Sequence, residues 1–236
     1  MYAPTRDQWD PPHEKLSPRL FWVVEAALRK AWEIVTTDRA PGAAWRTAKE
    51  DDLTLLVLET LADTVWHRKM IEGFDNKVFS TPNREAKIRN FDGHKPDKMP
   101  DLLIQFVNPP SNAKPSQFGI FIECKPVDAA HAVGTHYCGK GILRFIQGDY
   151  AWAMQEGIML AYAASGYDIA KKLCPHVTAS ARGSFASSTT VGRCPKSVVD
   201  PIAEQTLIST HPRTFNYFEN RKAAPPIELR HIWLKR

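Results

Sequence analysis

Two short apolar runs, DLLIQFV (101–107) and FGIFIECK (118–125), flank the connection NPPSNAKPSQ, which is dense in turn-forming residues. Runs of this length, separated by such a connection, read as neighbouring antiparallel strands. The second run ends unusually: three apolar residues, Ile120–Ile122, lead straight into Glu123 and Lys125. Strand side chains alternate between faces, so Glu123 and Lys125 share one face while Ile122 and Cys124 point to the other. Asp101 follows Pro100 and opens the first strand. If the two strands pair, Asp101 converges on the face that carries Glu123 and Lys125.

Two carboxylates and an ammonium at the open end of a sheet suit metal-assisted phosphodiester hydrolysis. A divalent cation neutralises the anionic phosphate and acidifies a bound water. Mg²⁺ takes oxygen ligands, commonly one or two carboxylates plus water and substrate. Asp101 and Glu123 supply the carboxylates, and the backbone carbonyl of Cys124 between Glu123 and Lys125 supplies a further oxygen. Lys125 stabilises charge that develops on the phosphate or orients the water.

The rest of the chain surrounds this pair with helices and further strands. Residues 1–16 are Pro-rich and polar, an extended arm. SPRLFWVVEAALRKAWEIV (17–35) reads as a helix with Ser17 at the N-cap and Pro18 in the first turn. A second, largely buried helix is predicted over 48–70, with Thr47 and Glu50 as a capping box and Asp51 and Asp52 in the positive first turn. EAKIRNF (85–91) reads as a short strand. GILRFIQGDYAWAMQEGIMLAYAA (141–164) reads as a long helix whose interior glycines, Gly148 and Gly157, let another backbone approach. Residues 178–195 are small, polar and basic, a loop; 204–211 and 227–236 close the chain as strands. The order predicts an α/β protein with a central mixed β-sheet flanked by helices. The expected organisation is an arm and helix over 1–47 and a core over 48–236 with a basic C-terminal extension.

Charge favours a polyanionic partner. Residues 170–236 hold eleven Lys or Arg against four Asp or Glu, while the remainder is slightly acidic. No apolar run approaches a membrane span, and no secretory leader is visible in the first residues. The four cysteines form no C-x-x-C pair and are too few for a disulfide framework, which predicts reduced thiols in a cytoplasmic protein.

The run MPDLLIQFV…FGIFIECK resembles the PD-(D/E)xK nuclease superfamily, whose members share the restriction-endonuclease-like fold. Pro100-Asp101 matches the first half of the motif and Glu123-Cys124-Lys125 the second. The resemblance spans roughly residues 48–164 and includes a helix before a strand meander and a helix after it. It implies Mg²⁺, or Mn²⁺ in its place, and a metal set of Asp101, Glu123 and the Cys124 carbonyl. By position it adds Glu59 from the first helix to the metal and catalytic residues and Gln147 from the second helix to the catalytic ones. Arg144, one turn before Gln147, faces a phosphate in that reading, and Tyr150 is a further candidate. Arg182, Arg193, Lys196 and Arg213 track the phosphates of nucleic acid, most of all double-stranded DNA. The implied protein is a deoxyribonuclease endonuclease of restriction or phage defence, acting as a homodimer or with a partner subunit.

Competing readings are plainer. Glu123 and Lys125 also fit a rim salt bridge, and Glu59 an exposed helix position. The same fold also serves as a binding or scaffold subunit without catalysis. A zinc site from His131, His136 and Cys138 lacks a second close ligand pair. The chain has no phosphate-binding loop motif and no nucleophile elbow.

Overall fold

The computed structural model of the protein describes residues 11–37, 44–84, 87, 89–94, 98–177, 188–193, 205–217 and 220–236. Helix α1 (Pro18–Thr37) begins with Pro18, and the Arg19 N–H donates to Ser17 Oγ at 3.4 Å. Its apolar residues recur at helical spacing and bury Phe21, Val24, Leu28, Ala31 and Val35 against the sheet. One carboxylate, Glu25, lies in that buried face. It ion-pairs with Arg29 at 2.9 Å and Arg230 at 3.3 Å and accepts from the Thr206 hydroxyl, so its burial is compensated.

A short turn, α2 (Ala44–Thr47), precedes α3 (Glu50–Thr60), which runs on into a π-helical segment, Leu61–Trp66. The predicted 48–70 helix is therefore present in its main part. Its capping box is not: Lys49 is the N-cap residue and its side chain makes no cap, while the Glu50 side chain reaches Lys125 instead.

Among the described residues seven strands form one mixed sheet: β1 (Asn83–Arg84), β2 (Leu102–Gln105), β3 (Gly119–Val127), β4 (Glu156–Ala163), β5 (Ser188–Arg193), β6 (Gln205–His211) and β7 (Ile227–Lys235), in the order β1-β2-β3-β4-β7-β6-β5. β2 and β3 pair antiparallel, as the sequence predicts, with Leu102 opposite Ile122. β3, β4 and β7 are parallel, and both β3 and β4 are buried at every residue. Helices α1 and α3 cover Ile120, Ile122, Ile158, Leu160 and Ile232 on one face. The other face, with Phe121, Met159, Ala161 and Trp233, packs under a π-helical segment (Val133–Ile142) and α4 (Leu143–Ile146). Two short helices, α5 (Ile169–Lys172) and α6 (Cys174–Val177), follow β4. The protein is thus α/β, a mixed sheet flanked by helices.

Three elements differ from the sequence prediction. Residues 141–164 do not form one helix: the helix ends at Ile146, and EGIMLAYA becomes central strand β4. Gly148 at φ +71° and Ala151 at φ +51° turn the chain between them. What approaches the glycines is aromatic side chain rather than backbone, since a Cβ at Gly148 or Gly157 would meet the ring of Phe215 or Phe145 at 2.6 Å. The predicted 85–91 strand gives way to β1 at 83–84, with 85, 86 and 88 outside the described residues. The predicted 178–195 loop contains β5, paired with β6.

No helix among the described residues is long and apolar enough to cross a membrane. Cys124, Cys138 and Cys174 carry free thiols.

Candidate functional site

The site begins where β2 stops. β2 pairs with β3 only as far as Leu102↔Ile122, so beyond Ile122 strand β3 keeps β4 on one side and is open on the other. The backbone groups of Cys124 meet side chains there. Its N–H donates to Asp101 Oδ2 at 2.6 Å, and its carbonyl accepts from Lys125 Nζ at 2.6 Å. Asp101 therefore stands one residue before β2, level with Glu123, as the antiparallel register requires.

Lys125 Nζ is the centre of the cluster. It lies 2.8 Å from Glu50 Oε1, 2.8 Å from Glu123 Oε1 and 3.6 Å from Asp101 Oδ2. Glu123 is fully buried and Lys125 is 6% exposed. The first turn of α3 delivers Glu50 to the open end of the sheet. A Cβ at Gly141 would meet Met159 Cε at 2.5 Å and lie 3.5 Å from Lys125 Cγ, so glycine there lets the π-helical segment lie against the lysine stem.

Two further residues hold Glu123. The Tyr150 hydroxyl donates to Oε2 from a fully buried ring stacked edge-on against Phe145. Arg144 Nη1 lies 3.1 Å from Oε1. Oε1 itself accepts no hydrogen bond in good geometry; it faces Lys125 and Arg144 at ion-pair distance only.

The electrostatics follow from burial and crowding. Desolvation first, then the charge of Asp101, pushes the Glu123 carboxyl up to about 7. Glu50 is raised too, mainly by its own burial. Burial alone would lower the Lys125 pKa, but Glu123, Asp101 and Glu50 together override it and hold the ammonium above the ordinary lysine value. Burial and the Glu123 charge hold the Tyr150 phenol well above its usual range, so it remains a donor.

A cation site needs oxygens, and this cluster presents them. Glu50, Asp101, Glu123 and the Cys124 carbonyl form an oxygen-only donor set that suits a hard divalent ion. Among the described residues no three His, Cys, Asp or Glu side chains stand in metal-ligating arrangement in this conformation. The ammonium sits between the carboxylates. All of these donors are oxygens, the ligand chemistry that hard divalent ions such as Mg²⁺ and Mn²⁺ take.

The sequence-derived residues divide clearly. Asp101, Glu123, Lys125, Arg144 and the Cys124 carbonyl come together. Glu59 does not join them: it is exposed on α3, nine residues beyond Glu50 and about 13 Å further along the helix axis. The helix carboxylate at the site is Glu50, whose spacing from Thr47 predicts a capping role instead. Gln147 is exposed at the end of α4. Tyr150, the further candidate, joins the cluster through Glu123 Oε2. Arg213 is 9% exposed and donates to the carbonyls of Ala151, Trp152 and Pro225 and to the Tyr217 hydroxyl, so its guanidinium braces the fold. Arg193 lies in edge strand β5, four strand spacings or roughly 19 Å across the sheet from β3. Arg182 and Lys196 lie outside the described residues.

A cavity of about 510 Å³ opens beside the cluster and shares Glu50 with it; Lys49, Asp128, His131, His136 and Arg236 are on its walls. His131 Nδ1 pairs with Asp128 at 2.8 Å, and its ring packs edge-on against His136. Elsewhere on the Glu123 face, a fully buried chain links Tyr137, His231, Ser209 and His211. Ser209 Oγ lies 2.6 Å from both His211 Nε2 and His231 Nε2, and His231 Nδ1 lies 3.0 Å from the Tyr137 oxygen. Tyr137 donates to the Met159 carbonyl. One proton arrangement satisfies every donor: His211 donates to Ser209, Ser209 to His231, and His231 Nδ1–H to Tyr137. The unbonded His211 Nδ1 then carries a lone pair rather than a hydrogen.

The chain matches no known protein family, no characterised protein and no solved structure.

Proposed function

We propose that the protein is a Mg²⁺-dependent endonuclease of the PD-(D/E)xK type, with the restriction-endonuclease-like variant of its α/β architecture and DNA as substrate. The observation that carries this reading is the convergence of Glu50, Asp101, Glu123 and the Cys124 carbonyl on one point at the open end of β3. The antiparallel β2–β3 pair, a preceding helix that supplies a carboxylate and a following helix that supplies Arg144 agree with the same reading.

In this proposal Glu50, Asp101, Glu123 and the Cys124 carbonyl hold the cation. When bound, the cation neutralises phosphate charge and acidifies a water. Lys125 and Arg144 place positive charge where the phosphate oxygens become more negative during attack. Tyr150 fixes the Glu123 carboxylate in one rotamer, and burial keeps competing water from it. The cavity beside Glu50 gives a nucleic-acid strand access to the cluster, with Lys49 and Arg236 on its wall.

Plasmid cleavage tests the proposal. Wild-type protein is expected to cut or nick DNA with Mg²⁺ and not with EDTA, and Asp101→Ala, Glu123→Ala and Lys125→Ala are each expected to abolish cutting. Equal cleavage by these variants and wild type overturns the site. Salt-sensitive DNA binding without cleavage under any divalent cation favours a binding subunit instead.

A further inference from the structure

We infer that the Lys125 ammonium is the resident cation of this site, and that a divalent ion enters only where Lys125 Nζ has moved out. This rests on the reading of the cluster as a metal site. Its ground is a coincidence of position. Nζ lies 2.6 Å from the Cys124 carbonyl, 2.8 Å from Glu50 Oε1, 2.8 Å from Glu123 Oε1 and 3.6 Å from Asp101 Oδ2. These are the same four oxygens a hard cation would take. An ammonium and a divalent ion cannot both stand there: Nζ already holds three of the four oxygens at 2.6–2.8 Å, and a divalent ion needs them at about 2.0–2.6 Å.

The physical reason for such an arrangement is the cost of the alternative. Three carboxylates at a largely buried point, with Glu123 wholly excluded from water, repel one another unless a positive charge stands among them. Arg144 reaches only Glu123 within this set. Among the described residues Lys125 alone contacts all three carboxylates, so it is the group that lets the site fold before any ion arrives. Its four-carbon stem is flexible, unlike the planar fork of an arginine. It can therefore give up the central position and remain on the same face of β3, directed at substrate.

The consequence is a competition. The lysine raises the ion concentration needed to load the site, and an ion that loads it releases the ammonium for work on the phosphate. Loading and positioning of the catalytic lysine become one event.

The test uses the whole 236-residue chain and reads binding rather than cleavage. Mn²⁺ is titrated calorimetrically into wild type and into Lys125→Met, which keeps the stem and removes the charge. The methionine variant is expected to bind Mn²⁺ about tenfold or more tightly, and its Tm is expected to rise further on Mn²⁺ addition than that of wild type. Equal or weaker binding by the variant overturns the competition while leaving the metal site standing. Absence of Mn²⁺ binding in both proteins overturns the metal site itself. Wild type alone provides a second measurement should the variant fail to fold. Its ¹⁵N-labelled Lys125 ammonium, buried and hydrogen-bonded, is expected to give a slowly exchanging NMR signal that disappears or shifts as Mg²⁺ is added. A signal unchanged at saturating Mg²⁺ overturns the displacement.

Discussion

The Tyr150 hydroxyl donates to Glu123 Oε2 inside the core, from a residue 27 positions away and on the far side of a chain reversal. This bond orients the most deeply buried carboxylate of the cluster. Tyr150→Phe keeps the ring against Phe145 and removes only the donor. It is expected to lower cleavage about 10–100-fold, the usual loss when a group that orients a metal ligand is removed. The Mg²⁺ concentration for half-maximal rate is expected to rise while KM for DNA stays near wild type. A buried oxygen left without its donor also costs about 1–3 kcal/mol, read as a lower Tm. Unchanged Mg²⁺ dependence would remove Tyr150 from the positioning role.

Glu50 and Glu59 occupy one helix but only Glu50 meets Lys125. Glu50→Gln keeps the shape and a hydrogen-bonding group while removing the charge. It is expected to reduce Mg²⁺-dependent cleavage about a hundredfold or more. Glu59→Gln, exposed about 13 Å further along the same helix, is expected to leave cleavage within error of wild type. Steady-state assays on the two variants side by side decide the assignment, and an equal effect of both would sink it.

The contrast between these two glutamates also marks how far sequence carries. Asp101, Glu123 and Lys125 were legible because period two and antiparallel register are local rules, and both operate within one hairpin. Glu50 was not, because local capping grammar offered it a partner at Thr47, while its real partner is 75 residues away. Strand β4 is hidden in the sequence for a related reason. EGIMLAYA is buried on both faces in a parallel part of the sheet, so it shows no alternation, and a continuous apolar run does not distinguish strand from buried helix. β5 lies in a Ser/Thr-rich stretch whose strand character comes from pairing with β6.

The buried Ser209–His211–His231–Tyr137 chain carries a pH signature. Burial lowers His211 to about 4, and it lowers His231 well below the ordinary value, with His211 adding to that shift. The folded protein thus holds these rings neutral while the unfolded chain protonates them below about 6.5. The unfolded state then binds more protons, so the histidine contribution is complete above that pH and is lost progressively as pH falls towards 4. For His211 the loss between pH 7.5 and 5 is about 2 kcal/mol. Glu123 and Glu156, both raised to about 7 by burial first, act in the opposite sense, gaining stability as pH falls. Comparison with His211→Gln isolates the histidine. Chemical denaturation at pH 7.5 and 5 is expected to show wild type losing about 2 kcal/mol more than the variant. Parallel losses would show that His211 titrates normally in the fold.

Arg213 separates folding from binding. The sequence places it among the residues expected to track phosphates, yet its guanidinium is spent on the Pro225, Ala151 and Trp152 carbonyls and the Tyr217 hydroxyl. It also stacks over Phe215, the ring that packs on Gly148. Arg213 therefore ties the segment after β6 to the turn that carries Tyr150. Replacing it with methionine keeps much of the stem volume and leaves several buried carbonyls without donors, a cost of about 3 kcal/mol. Arg213→Met is expected to lower Tm by several degrees, with the slope of log DNA affinity against log salt unchanged, since no phosphate contact is lost. A slope reduced by about one, at unchanged Tm, would return Arg213 to the nucleic-acid surface.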